Sequence, residues 1–260
     1  MALGPLLGGL FIGIWGERDG VRIAFAAALL MAGVALLLQQ RLIESDSPGA
    51  QISSLAHGGV RRNHPFSLLR HMRPEMKRLL VTDILIRFCE HIPYAFVVVW
   101  CMKVIAQPTS ALQFGMLTTI EMATAALVYI PVAHLADRSA KKPFVTATFV
   151  FFTLFPLALM FSHSLEWLVP AFILRGLKEF GEPTRKALIM DLAPDDYKAG
   201  MFGLYYLIRD LFVSMAAIGG AFLWKISPEL NFLTAFGFGL IGTLGFAIFG
   251  RDIGTSKPDR

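Results

Sequence analysis

The stretch from Arg175 to Pro194 reads RGLKEFGEPTRKALIMDLAP, and seven of its twenty side chains are charged although both flanks are strongly apolar. On a helix, at 100° per residue, Arg175, Lys178, Glu179, Glu182, Arg185 and Lys186 fall within about 120°. Ile173, Leu177, Phe180, Thr184 and Leu188 take the opposite face. A second set, Asp83, Arg87, Glu90 and His91, shares one face of an earlier apolar segment, and Glu121, Arg209 and Asp210 stand in two others. Such groups can bind a charged solute, or carry protons where burial moves a carboxylate or imidazole pKa toward neutrality. They can also simply neutralise one another. For Glu90, His91 and Glu121 proton coupling competes with a fixed interhelical ion-pair network; for Arg175, Lys178 and Arg209 solute binding competes with structural pairing. Four-residue spacings predict the pairs Asp83–Arg87, Arg175–Glu179, Lys178–Glu182 and Glu182–Lys186 within single helices. Arg185 and Lys186 are expected to reach the headgroups as snorkelling anchors.

Covalent chemistry finds no support. No nucleophile stands beside a base, no glycine-rich phosphate loop occurs, and Cys89, Glu90, His91 and His134 match no metal-ligand spacing. Neither an enzyme nor a cofactor is expected.

The elements that must hold these charges are membrane helices. The 260 residues are 55% hydrophobic and 17% charged, with 22 Phe, too apolar for a soluble globule of this length. A span needs about 20 apolar residues, and eight segments approach that length: 1–15, 21–41, 79–102, 113–136, 144–162, 167–189, 200–224 and 231–250. They are too long for barrel strands and do not alternate. Charges at mid-bilayer are costly and belong on faces turned to a bundle interior or a water-filled path. The uncharged fifth and eighth segments are the natural lipid-facing ones.

The net charge of +5 is topological rather than a nucleic-acid signal. Most of the 24 Lys and Arg residues fall in one set of loops, the opposite loops hold Arg18, Arg22, Lys103 and Lys225, and Arg87, Arg175, Lys178 and Arg209 lie within spans. The positive-inside rule then puts both termini in the cytoplasm. It also makes residues 42–76 a cytoplasmic loop, in which HPFSLLRHM forms an interfacial helix with Phe66, Leu69 and Met72 on one side.

The first hairpin overlays the last at a constant offset of 211, matching Gly8 with Gly219, Gly9 with Gly220 and Phe25 with Phe236. Parallel repeats of this kind build many transporters. Between the two hairpins lie four spans that the first half lacks, so the chain is expected to start late, missing about four helices of twelve.

The loop Ala133–Val145, AHLADRSAKKPFV, resembles the signature loop of the major facilitator superfamily, Gly-x-Leu-Ala-Asp-Arg-x-Gly-Arg-Lys. Leu135, Ala136, Asp137, Arg138 and Lys142 match, Lys141 replaces Arg, and Ala133 and Ala140 stand where the pattern has Gly. Gly4, Pro5, Gly8 and Gly9 resemble the end of the fifth-helix motif of proton-coupled efflux members. EPTRKALIMDLAPDDYKAGMFGLYY resembles the connection between helices ten and eleven in bacterial members.

The resemblance implies an all-α, polytopic helix bundle of about eight spans, corresponding to helices five to twelve. Residues 1–41 would be the last two helices of the N-terminal half, 42–76 the inter-half loop, 77–250 a complete C-terminal half and 251–260 a tail. It implies secondary transport of a small solute by alternating access, preferably efflux against protons, in a bacterial inner membrane. Asp137, Arg138, Lys141 and Lys142 would form a charge relay that breaks on switching. Asp83, Arg87, Glu90, His91, Glu121, Arg175, Lys178, Glu179, Glu182, Arg209 and Asp210 would line the solute or proton pathway. The rival expectation is a membrane receptor or assembly subunit that kept the fold without transport.

Overall fold

The computed structural model describes residues 3–42, 65–136 and 140–250, and among them every regular element is helical. The expected tail, most of the inter-half loop, and Asp137 and Arg138 fall outside the described residues. Among the described residues six helices are long and apolar enough to cross a membrane. The chain is an integral, multi-pass membrane protein with an all-α fold.

That count departs from the eight expected segments at two places. The first is one of counting: the first two expected segments are both helical and are numbered together as α1 (Leu3–Leu42), divided at Gly16, whose φ of 80° lies in the left-handed region that glycine tolerates. The chain doubles back there: a Cβ on Gly20 would sit 2.5 Å from the Ile12 Cα, although eight residues of straight helix would separate them by about 12 Å. The second departure concerns the charged stretch itself. The expected span 167–189 is two helices, α7 (Leu165–Leu177) and α8 (Glu182–Leu192), divided by a turn at 178–181.

Between these lie the short α2 (Pro65–His71), then α3 (Pro74–His91) and α4 (Phe96–Val99). Pro93 lacks an N–H, so the span they share is interrupted at Ile92–Ala95 and resumes when Phe96 and Val97 donate to the Pro93 carbonyl. A π-turn over Trp100–Val104 closes it. In α2 the expected sidedness fails. Met72 beyond its end is 3% exposed in the core and Leu68 packs beside it, while Leu69 is 41% exposed, because α2 docks on α9 instead of lying free at an interface.

Helix α5 (Ala111–Ala136) opens with a reciprocal capping box: Gln113 N–H donates to Ser110 Oγ at 3.2 Å and Ser110 N–H to Gln113 Oε1 at 2.8 Å. Then come α6 (Lys141–Met160), α7, α8, α9 (Lys198–Ile226) and α10 (Pro228–Phe249), the last capped by Ser227.

Helix α10 packs on α3 and α6, α9 on α3, and α5 on α1 and α7. Asn231, wholly buried on α10, donates through Nδ2 to the carbonyls of Gly220 (2.8 Å) and Ile92 (3.4 Å), tying α9 and the interrupted span to α10. Three apolar clusters result, a small one around Ile92, Ala216 and Ala235 and two larger ones. One gathers Met76, Leu79, Ile86, Phe149, Phe152, Ile189 and Tyr205; the other gathers Val97, Trp100, Leu117, Phe155, Leu168 and Phe172. On α3–α4 and on α7–α8, members of the two larger clusters flank the charged positions, so the charges form a layer between two apolar blocks.

Candidate functional site

Eight ionisable side chains in that layer form one chain of alternating sign. Asp83 of α3, with 0% exposure, accepts from Arg185 NH1 at 2.5 Å and from the Tyr205 hydroxyl at 3.0 Å. Arg185 donates to both carboxylate oxygens of Glu182, at 3.1 and 2.8 Å. Glu182 also accepts from Arg87 at 2.6 Å, and Arg87 reaches Glu90 at 2.7 Å. Glu90 accepts from Lys178 at 2.7 Å; Lys178 lies 3.8 Å from Glu121, and Glu121 lies 3.2 Å from Arg175. The chain of contacts crosses α3, α5, α7 and α8, and Arg209 of α9 approaches Asp83 at 3.8 Å.

Aromatic rings line the same layer. Arg87 lies over Phe152 (5.1 Å), Arg175 over Phe155 (5.2 Å) and Arg209 over Tyr206 (4.1 Å), distances at which the ring quadrupole attracts a cation. Glu90, Tyr94, Phe152, Phe155, Arg175 and Lys178 line a cleft at the Glu121 end.

Three of the four expected pairs are replaced. Arg175 pairs with Glu121 rather than Glu179, and Lys178 with Glu90 rather than Glu182, both between helices; Glu182 pairs with Arg185 within α8 and with Arg87 of α3 rather than with Lys186, which is exposed. For Arg175 and Lys178 the cause is the turn at 178–181, which breaks the four-residue register. It is fixed by α6: Gly181 N–H donates to Thr148 Oγ1 at 2.5 Å, and a Cβ on Gly181 would sit 2.6 Å from the Phe144 carbonyl oxygen. The fourth pair, Asp83–Arg87, is present at 3.9 Å. Arg185 is no headgroup anchor, being 1% exposed and held between two carboxylates.

The remaining expected residues take varied positions. His91 is 40% exposed, 4.0 Å from Glu90 and stacked on Tyr94. Glu179 lies in the turn, and among the described residues its carboxylate has no ion pair. Asp210 is exposed and accepts from Arg209 at 2.8 Å. Lys141 pairs with Asp191 at the far end of α8, and Lys142 begins α6 beside it. Gly9 meets α5 so closely that a Cβ would lie 2.6 Å from the Ala111 carbonyl oxygen; Pro5 offers its own carbonyl to Gly115 at the same distance, while Gly4 and Gly8 face open space.

Tyr205 and Asp191 were not singled out from sequence. Tyr205 stands four residues before Arg209, a spacing that places both on one face of α9 and could have revealed it. Asp191 carried no such signal, because its partner is fifty residues away.

A multi-pass helical membrane protein with a sealed, charge-alternating layer is the class this fold and site define. A family model described as Major Facilitator Superfamily matches residues 84–260, and the chain belongs to that superfamily of membrane transporters. An uncharacterised MFS-type transporter from Methanocaldococcus jannaschii is 30% identical over 105 residues, which cover 40% of this chain and 26% of that protein. The chain thus matches about a quarter of that relative's length. No solved structure matches.

Proposed function

We propose that this chain is part of a secondary active transporter that moves a small solute by alternating access, with efflux driven by proton antiport as its form. Its setting is a bacterial inner membrane, with both termini cytoplasmic. The observation that carries this reading is the alternating chain from Asp83 to Arg175. Buried charge is costly in a membrane and characteristic of a solute or proton path, and these ion pairs join four helices in an arrangement that can be re-paired as helices move.

Arg175 and Lys178 contact the solute from the cleft, with Tyr94, Phe152 and Phe155 as its apolar walls. Lys141, Lys142, Asp137 and Arg138 form the conformational relay; the Lys141–Asp191 pair supports this by linking the start of α6 to the end of α8. Reconstitution of the full-length protein in vesicles tests the reading. An imposed proton gradient should drive movement of a solute against its own gradient, and Asp137→Asn should slow it with insertion unchanged. Absence of gradient-driven movement across a broad solute panel would count against transport.

A further inference from the structure

The cations of the charged layer are unequally committed. Arg87 donates hydrogen bonds to Glu90 and Glu182, Lys178 to Glu90, Arg185 to Asp83 and Glu182, and Arg209 to Asp210. Arg175 differs: among the described residues its guanidinium donates no hydrogen bond. Its charged partner is Glu121, whose carboxylate lies 3.2 Å from Nη1 but is poorly aligned for one. Glu121 is loosely held in turn. Lys178 stands 3.8 Å away, and no group among the described residues donates a hydrogen bond to the Glu121 carboxylate.

Rings rather than a carboxylate fix the Arg175 guanidinium. The centroids of Phe155, Phe172 and Tyr94 lie 5.2, 5.7 and 5.9 Å from its Cζ, within cation–π reach. Phe155 and Phe172 meet edge to face at 6.4 Å and brace each other. The guanidinium is therefore held in place with its donors uncommitted, on the wall of the cleft.

The other wall residues set the sign of what the cleft accepts. Glu90, the acid on the wall, is already bonded to Arg87 and Lys178, and Glu121 is not part of the wall. After Glu90 takes one Lys178 N–H, two remain. The fork of N–H donors on a guanidinium matches the two oxygens of a carboxylate. Tyr94, Val97, Phe152 and Phe155 supply an apolar and aromatic surface beside it. The cleft encloses about 10 Å³, room for about one water, so a solute enters only as the surrounding helices part.

We infer that the solute taken at this site is an organic carboxylate with an aromatic or otherwise apolar body. Its carboxylate takes a two-point bond from Arg175 with Lys178 beside it, in place of Glu121, and its body lies against Tyr94 and Phe155. The inference deepens the transport reading and rests on it for the movement of the solute, not for its binding. Arg175 and Glu121 tie α7 to α5, so a carboxylate that takes Arg175 also releases that tie. Binding and the parting of helices are thereby one event.

The test compares three probes of one shape on the full-length protein in lipid nanodiscs: benzoate, neutral benzamide and cationic benzamidine. Benzoate should raise the thermal unfolding midpoint as its concentration rises, and benzamide and benzamidine should not. Acetate, a carboxylate without a body, should bind about tenfold more weakly than benzoate or worse. Calorimetric titration should show benzoate bound more tightly by Glu121→Gln, which removes the competing carboxylate. Arg175→Gln should weaken it about tenfold or more, the value of a charged hydrogen-bonded pair. A purely structural Arg175–Glu121 pair would not give these opposite responses. Equal stabilisation by benzamide or benzamidine, no stabilisation by benzoate, weaker binding to Glu121→Gln, or unchanged binding to Arg175→Gln would overturn the assignment. Should Arg175→Gln fail to fold, the probe series and Glu121→Gln decide the matter without it. In vesicles, benzoate that binds but is not moved by any gradient leaves the site standing and removes the transporter reading. Gradient-driven movement of other solutes with no benzoate binding does the reverse.

Discussion

The two ends of the charged chain are built for different duties. At the Asp83 end, Asp83 and Arg185 are each about 1% exposed and Glu182 about 8%, and a bidentate bond and a tyrosine hydroxyl leave little freedom. At the Glu121 end, Glu121, Arg175 and Lys178 are 12–13% exposed, beside a cleft, at 3.2 and 3.8 Å with one cation shared between two carboxylates. Deeply buried, multiply bonded charge holds helices together, whereas looser charge at a cleft can change partners. In a single row of ion pairs, burial and bond count separate a tightly held end from a looser one.

Arg185→Leu should break this contrast most severely. It leaves Asp83 and Glu182 buried with fewer partners, and a loss of about 3–5 kcal/mol in chemical-denaturant unfolding is expected. Next comes Gly181→Ala. The new Cβ would press on the Phe144 backbone oxygen, which cannot rotate away, so a loss of about 1–3 kcal/mol is expected, with a changed near-ultraviolet signal from the Phe180 surroundings. Glu121→Gln should sharpen the comparison. Unfolding should shift by only about 1 kcal/mol, the scale of one hydrogen bond, while solute movement in vesicles changes more than stability does.

The smallest effect belongs to Asp195, exposed just before α9. Its hydrogen bond from Lys198 lowers its pKa below the ordinary carboxylate range. The sign follows: any stability it contributes is present above the ordinary pKa and is lost as pH falls through the lowered one. Asp195→Asn should leave the melting temperature near neutral pH within error, as solvated pairs do.

Sequence identified the charged positions of this row because charge in apolar segments is conspicuous. It did not yield their partners. The register of Arg175, Lys178 and Glu182 depends on a turn held by Thr148 and Phe144, thirty residues upstream, and no local pattern announces it. Pro183 sits in the first turn of α8, where its missing N–H costs nothing. The interruption falls just before it. Helix lengths were easier to read, since lipid-compatible runs need no partner to be recognised, and the Gly16 turn divides the first two of them. Of the aligned hairpin glycines, Gly9 and Gly220 press on the carbonyls of Ala111 and Ile92, while Gly8 and Gly219 face open space.

Asn231 has a mechanical consequence. By joining the Gly220 and Ile92 carbonyls it makes the meeting point of three helices a fixed vertex. From Gly220 back to Lys198, α9 forms a lever about 33 Å long at 1.5 Å per residue. A tilt of about 10° about that vertex would carry the Lys198 end through about 6 Å by the same geometry, while the vertex stayed still. Arg209 lies midway along the lever, so a small rotation about one buried amide is geared directly to its 3.8 Å separation from Asp83.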